Sequence, residues 1–422
     1  MVAEPASASA RQRLLATIDD DQQDLIDLCL HLGNTPTPHG QERVLAQWVA
    51  DWLTSHGIRS WLQPITADSA NVVGRIPGTA DGVSLIYNAH LDTGPALPPD
   101  ASESNRRIHQ AWAEDGVLYG YGLVNDKAQL AAFMIAARAL RKAHLQLRGD
   151  LTLSGVAFET GWPSVDDRQG INYPGEGLGT WWLFNRGVTA DYALVGETSG
   201  FGLITAECGV LGVEVRTHGR EVYTPRLERG ASLHDHPSAV VRLAHLVPVL
   251  DEWAVRYEAT HRQESPAGTI VPKAQVQTVE GQAEWARTHM DVRLAPGANP
   301  RAVQREIEEY LRERGFACEL EPYQWSRGYV ARNAEPLIAA VTEAHQALFG
   351  SPPPPPPTAE ISMWRDVNMF NEVGVPSICY GPPRQREPYS DPGNRAVKIA
   401  DLLDATKVYA LAAVNLCGLA DE

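Results

Sequence analysis

Basic residues are in short supply in this 422-residue chain: 36 Lys and Arg stand against 52 Asp and Glu, a formal net charge of −16. Gripping phosphates needs a lysine and arginine surplus, so the balance argues against nucleic acid as the main partner. It disfavours an anionic membrane surface equally. There is no run of about 18 apolar residues to serve as a membrane span. Met1 to Gln12 lacks the apolar stretch of a secretory signal and reads as a frayed tail. The 5 cysteines, Cys29, Cys208, Cys318, Cys379 and Cys417, include no Cys-x-x-Cys pair. Neither a zinc knuckle nor a disulfide framework is expected, and a reduced, cytoplasmic location is the simplest reading. Phenylalanine is sparse, 7 residues against 11 tryptophans, so much aromatic filling of cores and interfaces falls to tryptophan. No internal repeat is found.

What is present is ordinary for a large globular protein: 44% hydrophobic and 21% charged residues. The length suits two or three domains. Ala8 to Thr54 reads as helical, with Val44, Leu45, Trp48, Val49 and Leu53 at helical spacing and Gly57 as the stop. Strands follow at 60–63, 71–76 and 83–89, a helix at 127–144, a strand at 150–158, a short helix around Trp181 and Trp182, and a strand at 191–195. Strands alternating with helices predict a doubly wound α/β sheet. Near Cys208 the pattern changes to strand, helix, two strands, helix and strand over 210–323, the β-α-β-β-α-β order of a ferredoxin-like domain. The α/β pattern resumes with a helix from Asn333 to Phe349. The six prolines Pro352–Pro357 predict a stiff extended loop. A helix at 366–373, a strand at 377–380 and a helix from Ala400 complete the chain.

Four motifs stand at predicted strand ends. Asn88-Ala-His-Leu-Asp-Thr93 ends the apolar run 83–89. Residues two apart share a strand face, so His90 and Asp92 can enter one crevice at the strand's carboxyl end, where open α/β sheets bind ligands. A metal-bound imidazole usually gives its second N–H to a carboxylate, and His-x-Asp supplies that partner; a solvated loop pair has the same spacing. Tyr119-Gly-Tyr-Gly-Leu-Val-Asn-Asp-Lys127 places Asp126 at the start of a helix, which fits a ligand or a simple cap. Glu159 follows the strand at 150–158. Glu197 follows the strand at 191–195. Together they form a constellation that capping and solvation account for poorly.

The order HLDT, YGLVNDK, AFET, DYALVGET and GVPSICYGP, with the ferredoxin-like insertion, resembles the di-zinc exopeptidase and deacylase family over essentially the whole chain. That resemblance implies a doubly wound, mixed-sheet catalytic domain in two parts, 1–207 and 327–422. It also implies an inserted ferredoxin-like dimerisation and lid domain at 208–326, and a homodimer through it. His90 resembles the first histidine ligand, Asp92 the carboxylate orienting it, Asp126 the aspartate between two metals and Glu197 the carboxylate completing the first site. Glu159 resembles the general base. Asp366 resembles an aspartate behind the site.

The chain departs from the family at both positions that serve only the second metal. Thr160 stands where the family has a second Glu. No histidine follows the Gly381-Pro-Pro turn, and Tyr389 or Asp391 falls in that stretch. A site for one ion is therefore expected. A histidine-and-two-carboxylate set suits manganese or iron, with zinc or cobalt as alternatives. Tyr223 falls near a family histidine of the inserted domain, with His234 and His236 further on. Without a second Lewis acid, roughly 3–4 kcal/mol of oxyanion stabilisation is missing. A substrate with its own electron sink is then favoured over a peptide. The specific expectation is hydrolytic deamination of an electron-poor aromatic amine, 5-nitroanthranilate to 5-nitrosalicylate and ammonia. Trp364, Trp162, Tyr223, Arg386 and Tyr389 are candidates for holding such a carboxylated ring. The competing expectations are a deacylase or dipeptidase, with a second metal held through Asp391, and a non-catalytic small-molecule-binding relative.

Overall fold

The computed structural model describes residues 7–79, 82–94, 99–161, 165, 169–230, 232–385 and 396–420, with only the backbone of 104, 105 and 108. The chain forms two compact units. The first comprises Met1–Thr205, Ala331–Pro357 and Arg365–Glu422; the second comprises Ala206–Val330 and Thr358–Trp364.

A six-stranded mixed sheet is the centre of the first unit. Its order is Arg59–Pro64, Ala70–Ile76, Leu151–Val156, Leu85–His90, Tyr192–Gly196 and Ser377–Tyr380. The first two pairings are antiparallel. The other three are parallel, with His90 beside Val156 and Tyr380 beside Gly196. All six residues of Leu85–His90 are buried, as are all six of Leu151–Val156. Burial on both faces is what parallel strands covered by helices require, and it explains their unbroken apolar runs.

The opening helical stretch divides into Ala8–Asp20, Gln22–Asn34 and Arg43–Ser55. Arg43–Ser55 buries Leu45, Val49 and Leu53, the spacing visible in the sequence. Ala128–Lys142 is buried almost all round, because small alanines let it lie between the sheet and the long helix Ile399–Cys417. Gly196 allows the closest approach: an added Cβ would stand 2.6 Å from the Phe133 ring and 2.9 Å from Gln129.

The second unit has a four-stranded antiparallel sheet, ordered Ala274–Gly281, Trp285–Leu294, Gly209–His218 and Glu319–Ser326. Helices Ala239–Thr260 and Pro300–Glu313 pack on it around Leu246, Trp253, Met290 and Ile307. In chain order this is β-α-β-β-α-β. The first of the two central strands expected in this region is broken in two, Gly268–Ile270 and Ala274–Gly281, separated at Pro272. Proline lacks the N–H that a continuous ladder needs. Among the described residues, no helix is long and apolar enough to cross a membrane.

Candidate metal centre

The parallel strands deliver the chemistry at their carboxyl ends. His90 is the last residue of its strand, Glu197 is the first after Tyr192–Gly196, and Glu159 is the third after Leu151–Val156. Asp126 comes from the turn Leu123–Lys127 leading into the Ala128–Lys142 helix, and the Asn125–Asp126 peptide is cis. Gly122 opens that turn at φ +74°, and an added Cβ there would collide with the Thr93 side chain at 2.0 Å. Glycine alone fits both demands.

His90, Asp126 and Glu197 each place a ligand atom within 4.8 Å of the others, and all three are buried. His90 Nε2, Asp126 Oδ1 and Glu197 Oε2 have no hydrogen-bond partner. Buried polar atoms are rarely left so, and three converging orphans of this donor set fit a divalent cation. Among the described residues this is the one group of three or more such ligands.

The surroundings orient the triad. His90 Nδ1 lies 2.9 Å from the backbone oxygen of Asp92 and 3.5 Å from its carboxylate Oδ1. The nearer partner of the ring is thus a carbonyl, where the His-x-Asp spacing suggested a carboxylate. The Asp92 carboxylate accepts the backbone N–H groups of Glu159 (3.0 Å) and Thr160 (2.9 Å), and the Thr160 hydroxyl at 2.6 Å. His39 Nδ1 is 3.5 Å from the same carboxylate. Burial acts to raise the Asp92 pKa, but hydrogen bonds from His39, His90 and Thr160 and the His90 charge hold it well below the usual carboxylate range. Asp92 is a permanent anion that fixes the loop carrying Glu159.

Glu159 brings Oε2 to 3.7 Å from His90 Nε2 and is 5% exposed. Burial drives its pKa well up, and the charges of Asp366, Glu197 and Asp92 add to that against the opposing pull of His90. Asp126 is raised by burial and then by Glu197. Burial opposes protonation of His90, yet Glu159, Asp92 and Asp126 outweigh it and raise its pKa. So many acids in one dry pocket hold protons until a cation replaces them.

Three contributors, Asn88, Arg365 and His39, had no role in the reading of the sequence, although Asn88 opens one of its motifs. Asn88 donates to Asp366 Oδ2 at 3.3 Å and accepts from Ser154 at 2.7 Å, linking Asp366 to the His90 strand. Burial pushes the Asp366 carboxyl up to about 7. Arg365 Nε lies 3.3 Å from Glu197 Oε2. His39, some fifty residues before the nearest motif, offered no local signal. Tyr223 belongs to the second unit and is 73% exposed there. His234 packs against His245 and Phe316, also in that unit. Trp364 is buried in the second unit. Arg386, Tyr389, Asp391 and Trp162 lie outside the described residues.

A sheet of this order with a buried His-Asp-Glu cluster at its strand ends defines a metallohydrolase of the M20 type. The profile of peptidase family M20/M25/M40 matches residues 86–415, and the chain belongs to that family, whose members hydrolyse C–N bonds. It is 24% identical over 442 aligned residues to the N-formyl-4-amino-5-aminomethyl-2-methylpyrimidine deformylase of Bacillus subtilis (strain 168), covering 96% of this chain and 97% of that one. It is 25% identical over 370 residues to the succinyl-diaminopimelate desuccinylase of Corynebacterium glutamicum, covering 85% and 88%. Among solved structures, human carnosine dipeptidase 1 superposes with a TM-score of 0.68 at 16% identity, covering 96% and 99%. The Bacillus subtilis YXEP protein, described as a dinuclear metal-binding peptidase, gives 0.60 at 13% identity, covering 94% and 98%. Likeness at such identities speaks for the fold alone.

Proposed function

We propose that this protein is a hydrolase with one divalent ion per chain, bound by His90, Asp126 and Glu197, with Glu159 as its general base. The observation that carries the reading is the buried triad, each member of which keeps one atom without a hydrogen bond, with the buried Glu159 carboxyl 3.7 Å from His90 Nε2. A divalent ion held there supplies a Lewis acid and brings the pKa of its water from 15.7 towards about 7. Glu159 takes a proton from the attacking water as the oxygen bonds to the substrate carbon, then returns it to the departing nitrogen as the C–N bond breaks. Asp92 stays ionised throughout and holds the Glu159 backbone and the Thr160 hydroxyl. Thr160 has no carboxylate to offer a second ion, which supports a one-ion centre. Manganese is the favoured occupant on this oxygen-rich set.

The substrate class that suits one Lewis acid is an electron-poor aromatic amine carrying a carboxylate, 5-nitroanthranilate being the specific candidate. Water adds at the ring carbon, and ammonia leaves. The second unit, taken by itself, holds a cavity of about 760 Å³ lined by Trp364, Arg262, Lys273 and Arg293, with Glu258 and Asp291. Trp364 Nε1 is buried there without an acceptor. Glu258 and Asp291 already pair with Arg262, Lys273 and Arg293, so what the cavity offers a small aromatic ligand is the Trp364 ring and its N–H more than a free cation. The second reading, hydrolysis of an N-acyl or N-formyl amine, is favoured by the match to the Bacillus deformylase along nearly the whole chain. A parallel assay of the manganese-loaded protein separates them. Ammonia from 5-nitroanthranilate supports the first reading; formate or free amino acid from N-formyl and N-acyl amines, without ammonia release, replaces it with the second.

The partner in this proposal is a second copy. The Ala274–Gly281 strand is an edge of its sheet and exposes Val279, with Trp285 on the adjoining strand also partly open. Edge strands with apolar side chains invite strand pairing.

A further inference from the structure

Arg365 is 3% exposed, and its guanidinium faces a carboxylate of the ligand triad. Arg365 Nε stands 3.3 Å from Glu197 Oε2. That oxygen nevertheless has no aligned hydrogen bond, so the contact is electrostatic and leaves lone pairs available. The guanidinium is itself held, donating Nη2 to the backbone oxygen of Thr198 at 3.3 Å. Arg384 donates to the Thr198 side chain, and Ser199 Oγ accepts from the Gly381 N–H at 2.9 Å. Glu197 and its cationic neighbour are thus fixed on one short, anchored segment. Arginine stays charged in such a place, where a buried lysine sheds its proton.

We propose that Arg365 is a positioning residue of the metal centre, a resident cation that shares Glu197 with the bound ion and weakens the grip of the three ligands on it. Two positive charges on one buried carboxylate repel each other strongly, because little water screens them. The ion is then held less tightly than His90, Asp126 and Glu197 alone would hold it. Its unshared positive charge remains available to a water or substrate oxygen. Hydrogen-bonded carboxylate or carbonyl partners behind a ligand commonly raise metal affinity by roughly 10–100-fold; a cation in that place should act in the opposite sense. This inference rests on the metal-centre reading above.

The test is titration calorimetry of the full-length, metal-stripped protein with manganese chloride, repeated with zinc chloride. Wild type is compared with Arg365→Gln, Arg365→Met and Arg365→Lys. The two uncharged variants should bind manganese about 10-fold more tightly than wild type or better. Arg365→Lys, whose buried ammonium sheds its proton where the guanidinium does not, should bind manganese more tightly than wild type and no more tightly than the uncharged variants. A residue that only braced the fold would loosen the metal when removed, never tighten it. Unchanged or weaker binding in the uncharged variants overturns the proposal while leaving the metal centre intact. Failure of both uncharged variants to fold makes Arg365 a structural counter-ion and also overturns it. Absence of any binding to wild type brings down the metal-centre reading itself, and this inference with it.

Discussion

Glu159 and Glu42 show how burial turns the same side chain to different ends. Glu159 sits among acids beside the orphaned His90 Nε2, the place proposed for proton transfer. Glu159→Gln should therefore lower turnover by roughly 10²–10⁴-fold. Manganese binding measured calorimetrically should persist, since Glu159 is outside the ligand triad. Turnover within a few-fold of wild type would remove Glu159 as the base. Glu42 is buried and accepts the Gly40 N–H at 2.7 Å through Oε1, while Oε2 has no partner. Burial, then the Asp92 charge, pushes its carboxyl up to about 7. A folded-state value above the unfolded one gives stability that is complete below about pH 4.5 and is lost as the pH rises through about 7. Glu42→Gln stays neutral at every pH. Its melting temperature should match wild type near the acid end and exceed it above neutrality. A constant difference across the range would deny Glu42 that titration.

The elements explain why the site was partly readable. Leu85–His90, Leu151–Val156 and Tyr192–Gly196 are parallel neighbours, so residues just past each strand converge. Apolar runs followed by His90, Glu159 and Glu197 announce such ends in the sequence. His39 and Arg365 carry no comparable mark, and Asn88, though inside a motif, shows nothing of its partner. Asn88 acts across the sheet on Asp366, and Arg365 reaches Glu197 from a segment 168 residues later in the chain. Contacts between distant segments have no local period to betray them. The Gly196 contact tests this layer. Gly196→Ala would press a methyl against Phe133 and Gln129, forcing the Ala128–Lys142 helix away from the strand that positions Glu197. The expected cost is about 1–3 kcal/mol in denaturant unfolding, with weaker manganese binding alongside. Wild-type values for both would show that the helix has room to yield.

For the whole molecule, the metal ligands tie binding to pH. Asp126 and His90 both hold protons more firmly in this pocket than in water, burial leading for Asp126 and the Glu159 charge overcoming burial for His90. The ion must displace those protons, so manganese affinity should rise with pH. Chelation should correspondingly lower the melting temperature, because ligands of the folded state stabilise it. A melting curve indifferent to manganese and chelator would count against the centre. Association forms a separate expectation. Wild type should sediment as a dimer, and Val279→Lys, which charges the exposed edge strand, should shift it to monomer. An unchanged dimer in that variant would place the interface elsewhere.

The sequence by itself determined the alternation of strands and helices and the β-α-β-β-α-β insertion, which follow from local periodicity. It set His90 and Glu197 at the ends of apolar runs, whereas their role as ligands together with Asp126 is what the family resemblance implies. It also determined the Thr160 substitution, visible as a missing carboxylate. Tertiary structure alone decided that His90 leans on the Asp92 carbonyl, that Asp92 holds the Glu159 loop, and that Arg365 faces the Glu197 carboxylate. Those facts depend on the distances between segments folded together. Burial then sets how strongly each charge acts, and burial is a property of the packed chain.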